Sequence, residues 1–195
     1  MTDAVSSTRE FEGLQIPAPG TYLLDAAHKR VGFVVRHLMV SKVRGDFADA
    51  TATITVAEDP LQSTVTATIQ TQSVFTGQAD RDNHLRTGDF FEAEKYPTIE
   101  FKSTRIKSHD GNEFLLDGDL TIKGITKQVE LLVEFEGAGR SPYGQDVFGF
   151  SATTEIDRED WGMTYNMALE SGGVMIGKKV KIEIEGEAIR QAPAA

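Results

Sequence analysis

The sequence predicts an all-β chain: an extended antiparallel eight-stranded barrel with one short helix near 80–87. Three observations predict it. Apolar and polar side chains alternate with period two through most of 21–189, and that period puts successive side chains on opposite faces of a strand. The breaks between these runs carry hairpin chemistry. Roughly eight or nine long strands with near-neighbour connections also leave two open edges, and closing the sheet removes both.

Strands are expected at 21–25, 29–40, 45–57, 62–73, 98–108, 113–123, 126–136, 147–157 and 178–189. The clearest runs are Val129, Leu131, Val133 and Phe135, set against Gln128, Glu130 and Glu134, and Val180, Ile182 and Ile184, set against Lys181, Glu183 and Glu185. Asp59-Pro60 interrupts a ladder because proline has no donor to give it. Asp110-Gly111-Asn112 and Lys123-Gly124 supply the positive φ that tight hairpins demand. Between them, 80–87 has a capping candidate in Asp80, no β-branched residue before Thr87 and a stop at Gly88, which predicts the helix. The apolar but aperiodic string 162–169 reads as a loop folded over something. The barrel domain is placed at 20–190, with an N-terminal extension at 1–19, its first dozen residues polar and without period, and a flexible tail at 191–195.

Composition narrows the function. The chain has 195 residues, no cysteine, and 20 Lys+Arg against 30 Asp+Glu, a formal charge of −10. Without cysteine there are no disulfides, thiolate nucleophiles or cysteinyl metal sites. A field of that sign repels phosphate backbones, so nucleic acid is not an expected partner. The first ten residues carry Asp3 and no apolar run, unlike a secretory leader, and no stretch is long enough to span a bilayer. A soluble, cytoplasmic protein without an integral membrane segment is expected.

Catalytic signals are thin. Gly-x-Gly-x-x-Gly, Walker, Gly-x-Ser-x-Gly and His-Glu-x-x-His patterns do not occur. His37 shares its parity with Val31, Phe33 and Val35, and so reads as a core imidazole satisfied by backbone or carboxylate, or else as a ligand contact. His28, near Asp25, reads as structural. His84, with Asp80 one turn earlier and Asp82 nearby, is a candidate polar contact at a barrel mouth, and His109 reads as an exposed turn residue. Asp157, Arg158, Glu159 and Asp160 read as a solvated turn. Apolar residues outside the alternation are Phe90, Phe91, Trp161, Met163, Met167, Val174, Met175 and Ile176. They either plug the barrel ends or line a tunnel. Strands of about ten residues tilted by about 40° would enclose a lumen about 25 Å deep.

Longer motifs decide between these readings. YLLDAAH at 22–28 leading to VGFVVRH at 31–37, RDNHLRTGDFFEAEKYPTIEFKS at 81–103, GDLTIKGITK at 118–127 and Trp161-Gly162-Met163 with Asn166 resemble the YceI-like family. The resemblance covers about 20–189. It implies a lipocalin-like barrel that binds, stores or transports an isoprenoid-type lipid, a polyprenyl chain or isoprenoid quinone, with no metal and no required cofactor. The partner is then an apolar long-chain amphiphile. The family includes dimers, which makes a homodimer possible, and many members are periplasmic. Lumen lining is assigned to Val31, Phe33, Val35, His37, Phe47, Phe90, Phe91, Phe101, Leu120, Ile122, Trp161, Met163, Met167, Met175 and Ile176. Polar contacts at the mouth are assigned to Arg81, Asp82 and His84. The competing expectations are a small-barrel enzyme acting on an amphiphile, or a scaffold with a filled core.

Overall fold

Period-two alternation becomes a continuous antiparallel wall in the computed structural model, which describes residues 7–170 and 172–192. The expected loose ends at 1–6 and 193–195, and Ser171 of the apolar loop, lie outside the described residues. The strands are β1 (Thr8–Phe11), β2 (Leu14–Pro17), β3 (Gly20–His37), β4 (Ser41–Phe47), β5 (Ala50–Val56), β6 (Thr64–Gln70), β7 (Val74–Phe75), β8 (Thr98–Asp110), β9 (Glu113–Ile122), β10 (Ile125–Arg140), β11 (Asp146–Asp157) and β12 (Ile176–Arg190). The helix α1 spans Ala79–Leu85. Neighbours run β3–β5–β6–β8–β9–β10–β11–β12, and β12 pairs back onto β3, so eight strands close a barrel. Among the described residues no helix is long and apolar enough to cross a membrane.

Four local expectations change. The predicted strands 21–25 and 29–40 are one strand, β3, whose register with β12 slips between Gly186 and Ala188, opposite the 25–28 segment. The expected strand 45–57 instead breaks at Ala48–Asp49 into β4, which pairs with Gly32–His37, and β5, which pairs with Gly20–Leu23. A single strand could not follow both halves of β3 across that slip. Short 3-10 turns at Pro60–Gln62 and Thr71–Ser73 trim the expected 62–73 to β6. The capping group of α1 is Gln78, whose side chain accepts from Arg81 N, and not Asp80.

The polar N-terminal segment is also ordered where described. Glu12 and Gly13 take positive φ and turn β1 back on β2, a conformation that escapes apolar periodicity because a two-residue turn depends on backbone handedness. The hairpin folds across one end of the barrel. Ile16 and Pro17 are buried there, and the Arg9 guanidinium donates to the carbonyls of Ala57 and Glu58. His109, expected as exposed turn decoration, stacks on Phe114 at 5.6 Å and meets Phe11 of the hairpin at 5.3 Å.

This end forms a solid floor. Tyr22 is fully buried, packs edge-on against Phe148 at 5.1 Å, and joins Val56 and Ala188 in one cluster. Its hydroxyl donates to Ala18 O at 2.8 Å, so the one polar atom it buries is satisfied. The opposite end carries α1, the β3–β4 and β9–β10 turns and the 158–175 segment. Tyr22→Ala should cost about 3–5 kcal/mol by removing the ring that seals the floor, and Tyr22→Phe about 1 kcal/mol by removing one hydrogen bond. Urea denaturation of both variants measures the difference, and equal losses would refute the role given to the ring.

Candidate functional site

The interior is hollow. A cavity of about 650 Å³ runs inside the barrel, lined almost wholly by apolar side chains from β3 and the other barrel strands. Packed interiors rarely hold voids larger than a water molecule, whereas small-molecule sites occupy about 300–1,000 Å³. The filled-core expectation therefore fails on volume.

The wall is uneven. Phe101, Leu120, Ile122, Leu131 and Ile156 are buried in the main core cluster. Val31, Phe33 and Val35 on β3, and Val180, Ile182 and Ile184 on β12, point inward yet remain half-buried, because they face open lumen. Phe33 lies flat along this wall because its paired residue on β4 is Gly45. A Cβ at 45 would stand 2.3 Å from the Phe33 ring, so any larger residue there pushes the ring into the lumen. Gly118 gives Phe101 the same clearance at 2.3 Å.

Among the residues assigned from sequence, Val31, Phe33, Val35, His37, Phe47, Phe90, Phe91, Phe101, Leu120, Ile122, Met163, Met175 and Ile176 border the cavity. His37 does so without the satisfying partner expected of a core imidazole among the described residues. Two assignments change. Trp161 does not border the cavity; it is 2% exposed, packs in the main core cluster and its Nε1 donates to Leu120 O at 3.2 Å. Met167 is 54% exposed and faces outward, its carbonyl accepting from Met175 N.

At the mouth, Arg81 and His84 border the cavity. His84 Nε2 pairs with Asp89 Oδ2 at 2.8 Å, and not with Asp80 or Asp82, and its ring sits between Phe90 and Tyr165 at 5.0 and 4.9 Å. Arg81 is pinned by Thr76, Nε to Oγ1 at 2.8 Å and Nη2 to the carbonyl at 3.1 Å. Asp82 is not a mouth contact. It is buried and accepts from Thr76 N at 2.8 Å, which ties α1 to the strand before it.

Sequence reasoning missed Arg158. The run enters a 3-10 turn at Arg158–Trp161, capped by Asp157, whose side chain accepts from Glu159 N, and closed by Gly162 in the left-handed region. That turn directs Arg158 inward: it is 3% exposed and borders the cavity. Burial pushes its pKa down, while Glu159 and Asp157 oppose the shift. The signal available in the sequence was the Asp cap followed by Trp161-Gly162, which marks a turn rather than a solvated run. Tyr165 and Arg36 also border the cavity and were not assigned.

Residues 22–188 match the YceI-like domain. The chain belongs to the YceI-like family. A UPF0312 protein of Staphylococcus aureus strain N315 is 41% identical over 168 residues, 85% of this chain and 95% of the relative. The Campylobacter jejuni YCEI protein is 31% identical with a TM-score of 0.68 over 80% of this chain and 90% of that one. Two more distant structures share the fold: Burkholderia cenocepacia BcnA, at 22% identity and TM-score 0.74 over 84% of this chain and 98% of that one, and a polyisoprenoid binding domain from Saccharophagus degradans, at 15% and 0.67 over 89% of this chain and 100% of that one.

Outside the lining of this YceI-like barrel, ligand atoms of Asp25, His28 and Glu187 lie within 4.8 Å of one another at the slip between β3 and β12. The cluster is held internally, by Asp25 Oδ2 on His28 Nδ1 at 2.6 Å and Asp25 Oδ1 accepting from Ala27 N at 3.0 Å. The Ala27 and His28 contacts hold the Asp25 carboxyl below its usual range, and Asp25 raises the imidazole above its ordinary 6.5. A raised His28 stabilises the fold when protonated, so that contribution is full below pH 6.5 and fades as pH rises through the raised value. Asp25 has the opposite sign: its contribution is present above about pH 3.8 and fades as pH falls through the lowered value. Thermal midpoints recorded from pH 4 to 9 should therefore fall more steeply above about pH 6.5 in the parent than in His28→Gln, and parallel curves would refute the linkage.

Proposed function

We propose that this YceI-like protein binds a long apolar amphiphile of isoprenoid type, a polyprenyl chain or isoprenoid quinone, in the barrel lumen, and stores or carries it without performing chemistry on it. The observation that carries the reading is the hollow, largely apolar interior of about 650 Å³, with Tyr22 and Phe148 packed at one end and its charged lining residues Arg36, Asp80, Arg81 and Arg158 at the other. An elongated tail fits such a shape, with its far end toward Phe135 and Phe148 and its head at the mouth. The fold shared with a polyisoprenoid binding domain agrees with this choice of ligand class.

Energetics favour tails over compact guests. Each buried CH₂ contributes about 0.8 kcal/mol, so several isoprene units supply a large gross driving force, which ordering and association costs reduce. One methyl more or less changes affinity by about 1–3 kcal/mol. Tail length is thus read loosely, and selectivity falls to the mouth.

Protein purified from its native host should release a near-stoichiometric isoprenoid lipid on organic extraction, identified by mass spectrometry. Recovery of none, together with failure to bind added long-chain isoprenoids, would defeat the proposal. Ala67→Phe places a ring in the lumen from a half-buried alanine of β6. It should weaken binding by about tenfold or more while costing less than the ~1–3 kcal/mol typical of overpacked cores, measured by ligand titration and by urea denaturation. A large loss of stability with binding intact would contradict a hollow site.

A further inference from the structure

Arg158 stands out because its guanidinium is buried and makes no direct ion pair among the described residues, Glu159 and Asp157 favouring its charge only from a distance. Its Nε donates to Gly177 O at 3.0 Å and its Nη1 to Met163 O, but Nη2, also buried, has no hydrogen-bond partner. The neighbouring carboxylates are engaged elsewhere: Glu159 Oε2 holds Lys178 Nζ at 2.7 Å, and Asp157 caps the turn by accepting from Glu159 N. Buried guanidinium groups are ordinarily paired, since an isolated charge in apolar surroundings is strongly disfavoured.

The surroundings add to the imbalance. Arg36 approaches the same backbone from β3, where a Cβ at Gly177 would lie 3.2 Å from its own Cβ. The charged side chains bordering the cavity are Arg36, Asp80, Arg81 and Arg158, so three of four are cationic on a protein whose net charge is −10. A local field of this sign at the mouth of an apolar lumen attracts an anion attached to a hydrocarbon tail.

We propose that Arg158 anchors the ligand's head group, its guanidinium turning the unpartnered Nη2 toward an anionic oxygen, phosphate or carboxylate, at the end of a chain that fills the lumen. The inference rests on the lipid-binding reading above and adds a head-group class to it. A neutral carbonyl would accept the hydrogen bond but leave the cation uncompensated. An oxyanion does both, and charge-assisted bonds of this kind are about twice as strong as neutral ones. Nε and Nη1 already serve backbone carbonyls, which fix the guanidinium and leave Nη2 to meet the oxyanion.

Three probes of equal tail separate head from tail: geranylgeranyl phosphate, geranylgeranoic acid and geranylgeraniol, titrated by calorimetry below their aggregation limits into the parent protein, Arg158→Met and Arg158→Lys. The parent should bind both anionic probes about tenfold or more tightly than the alcohol, and the order of phosphate and acid identifies the preferred oxyanion. Arg158→Met should erase that preference while holding alcohol affinity within about threefold, and Arg158→Lys should keep part of it, because it keeps the charge and loses the Nε and Nη1 contacts that fix the donor. Equal binding of all three probes by the parent overturns the assignment, as does uniform weakening in Arg158→Met, which marks Arg158 as a strut for the 158–163 turn. If Arg158→Met does not fold, the parent's ranking and the Lys variant still decide. Binding of none of the probes defeats the lumen reading itself, an outcome distinct from tails that bind without head preference.

Discussion

The ladder between β3 and β12 is the interaction on which the rest of this protein depends. Its pairs run from Ile176 opposite His37 to Arg190 opposite Tyr22, and it joins the last strand of the sheet to the first of the barrel. Without it the sheet has two open edges and no inside. With it, the inward faces of β3 and β12 enclose space that no other strand fills, because their side chains meet the lumen rather than one another. A closed sheet of eight tilted strands has a fixed bore, so the size of the hollow follows from strand number, and its emptiness from what the wall allows.

Keeping that bore open is a matter of where aromatic rings rest. Phe33 and Phe101 would obstruct the lumen if they stood upright, and each lies instead against a glycine on a neighbouring strand. The floor uses the opposite device, with Tyr22, Val56, Phe148 and Ala188 packed into one buried cluster. The barrel is thus solid at one end and open in the middle. Its polar groups gather at the mouth, around α1 and the turn that follows β11. Apolar burial without direction sets affinity for a tail, and the few directional groups at the mouth are left to set orientation.

That division explains why parts of the site were legible in the sequence and others were not. Parity puts Val31, Phe33, Val35 and His37 on one face, since every second residue of a strand must share it, and the family resemblance turned that face toward the lumen. Trp161, Met167 and Asp82 were assigned by residue type, and type does not report direction in irregular backbone. Trp161 found a backbone acceptor within the core cluster, Met167 turned outward, and Asp82 was drawn inward by Thr76. Arg158 escaped for the converse reason. Three carboxylates around one cation look solvated when read along the chain, yet a single capped turn buries the cation beside the lumen.

By itself the sequence determined strand periodicity, hairpin positions, the helix near 80–87, the all-β class and the family, because these rest on local backbone chemistry and on ordered motifs. Only the tertiary structure decided that the interior is hollow rather than packed, that β1 and β2 close one end, and that an unpaired guanidinium borders the lumen. The physical reason is that a cavity, or a missing partner, is a property of side chains brought together from strands far apart in the chain. Such absences appear only once the wall has closed.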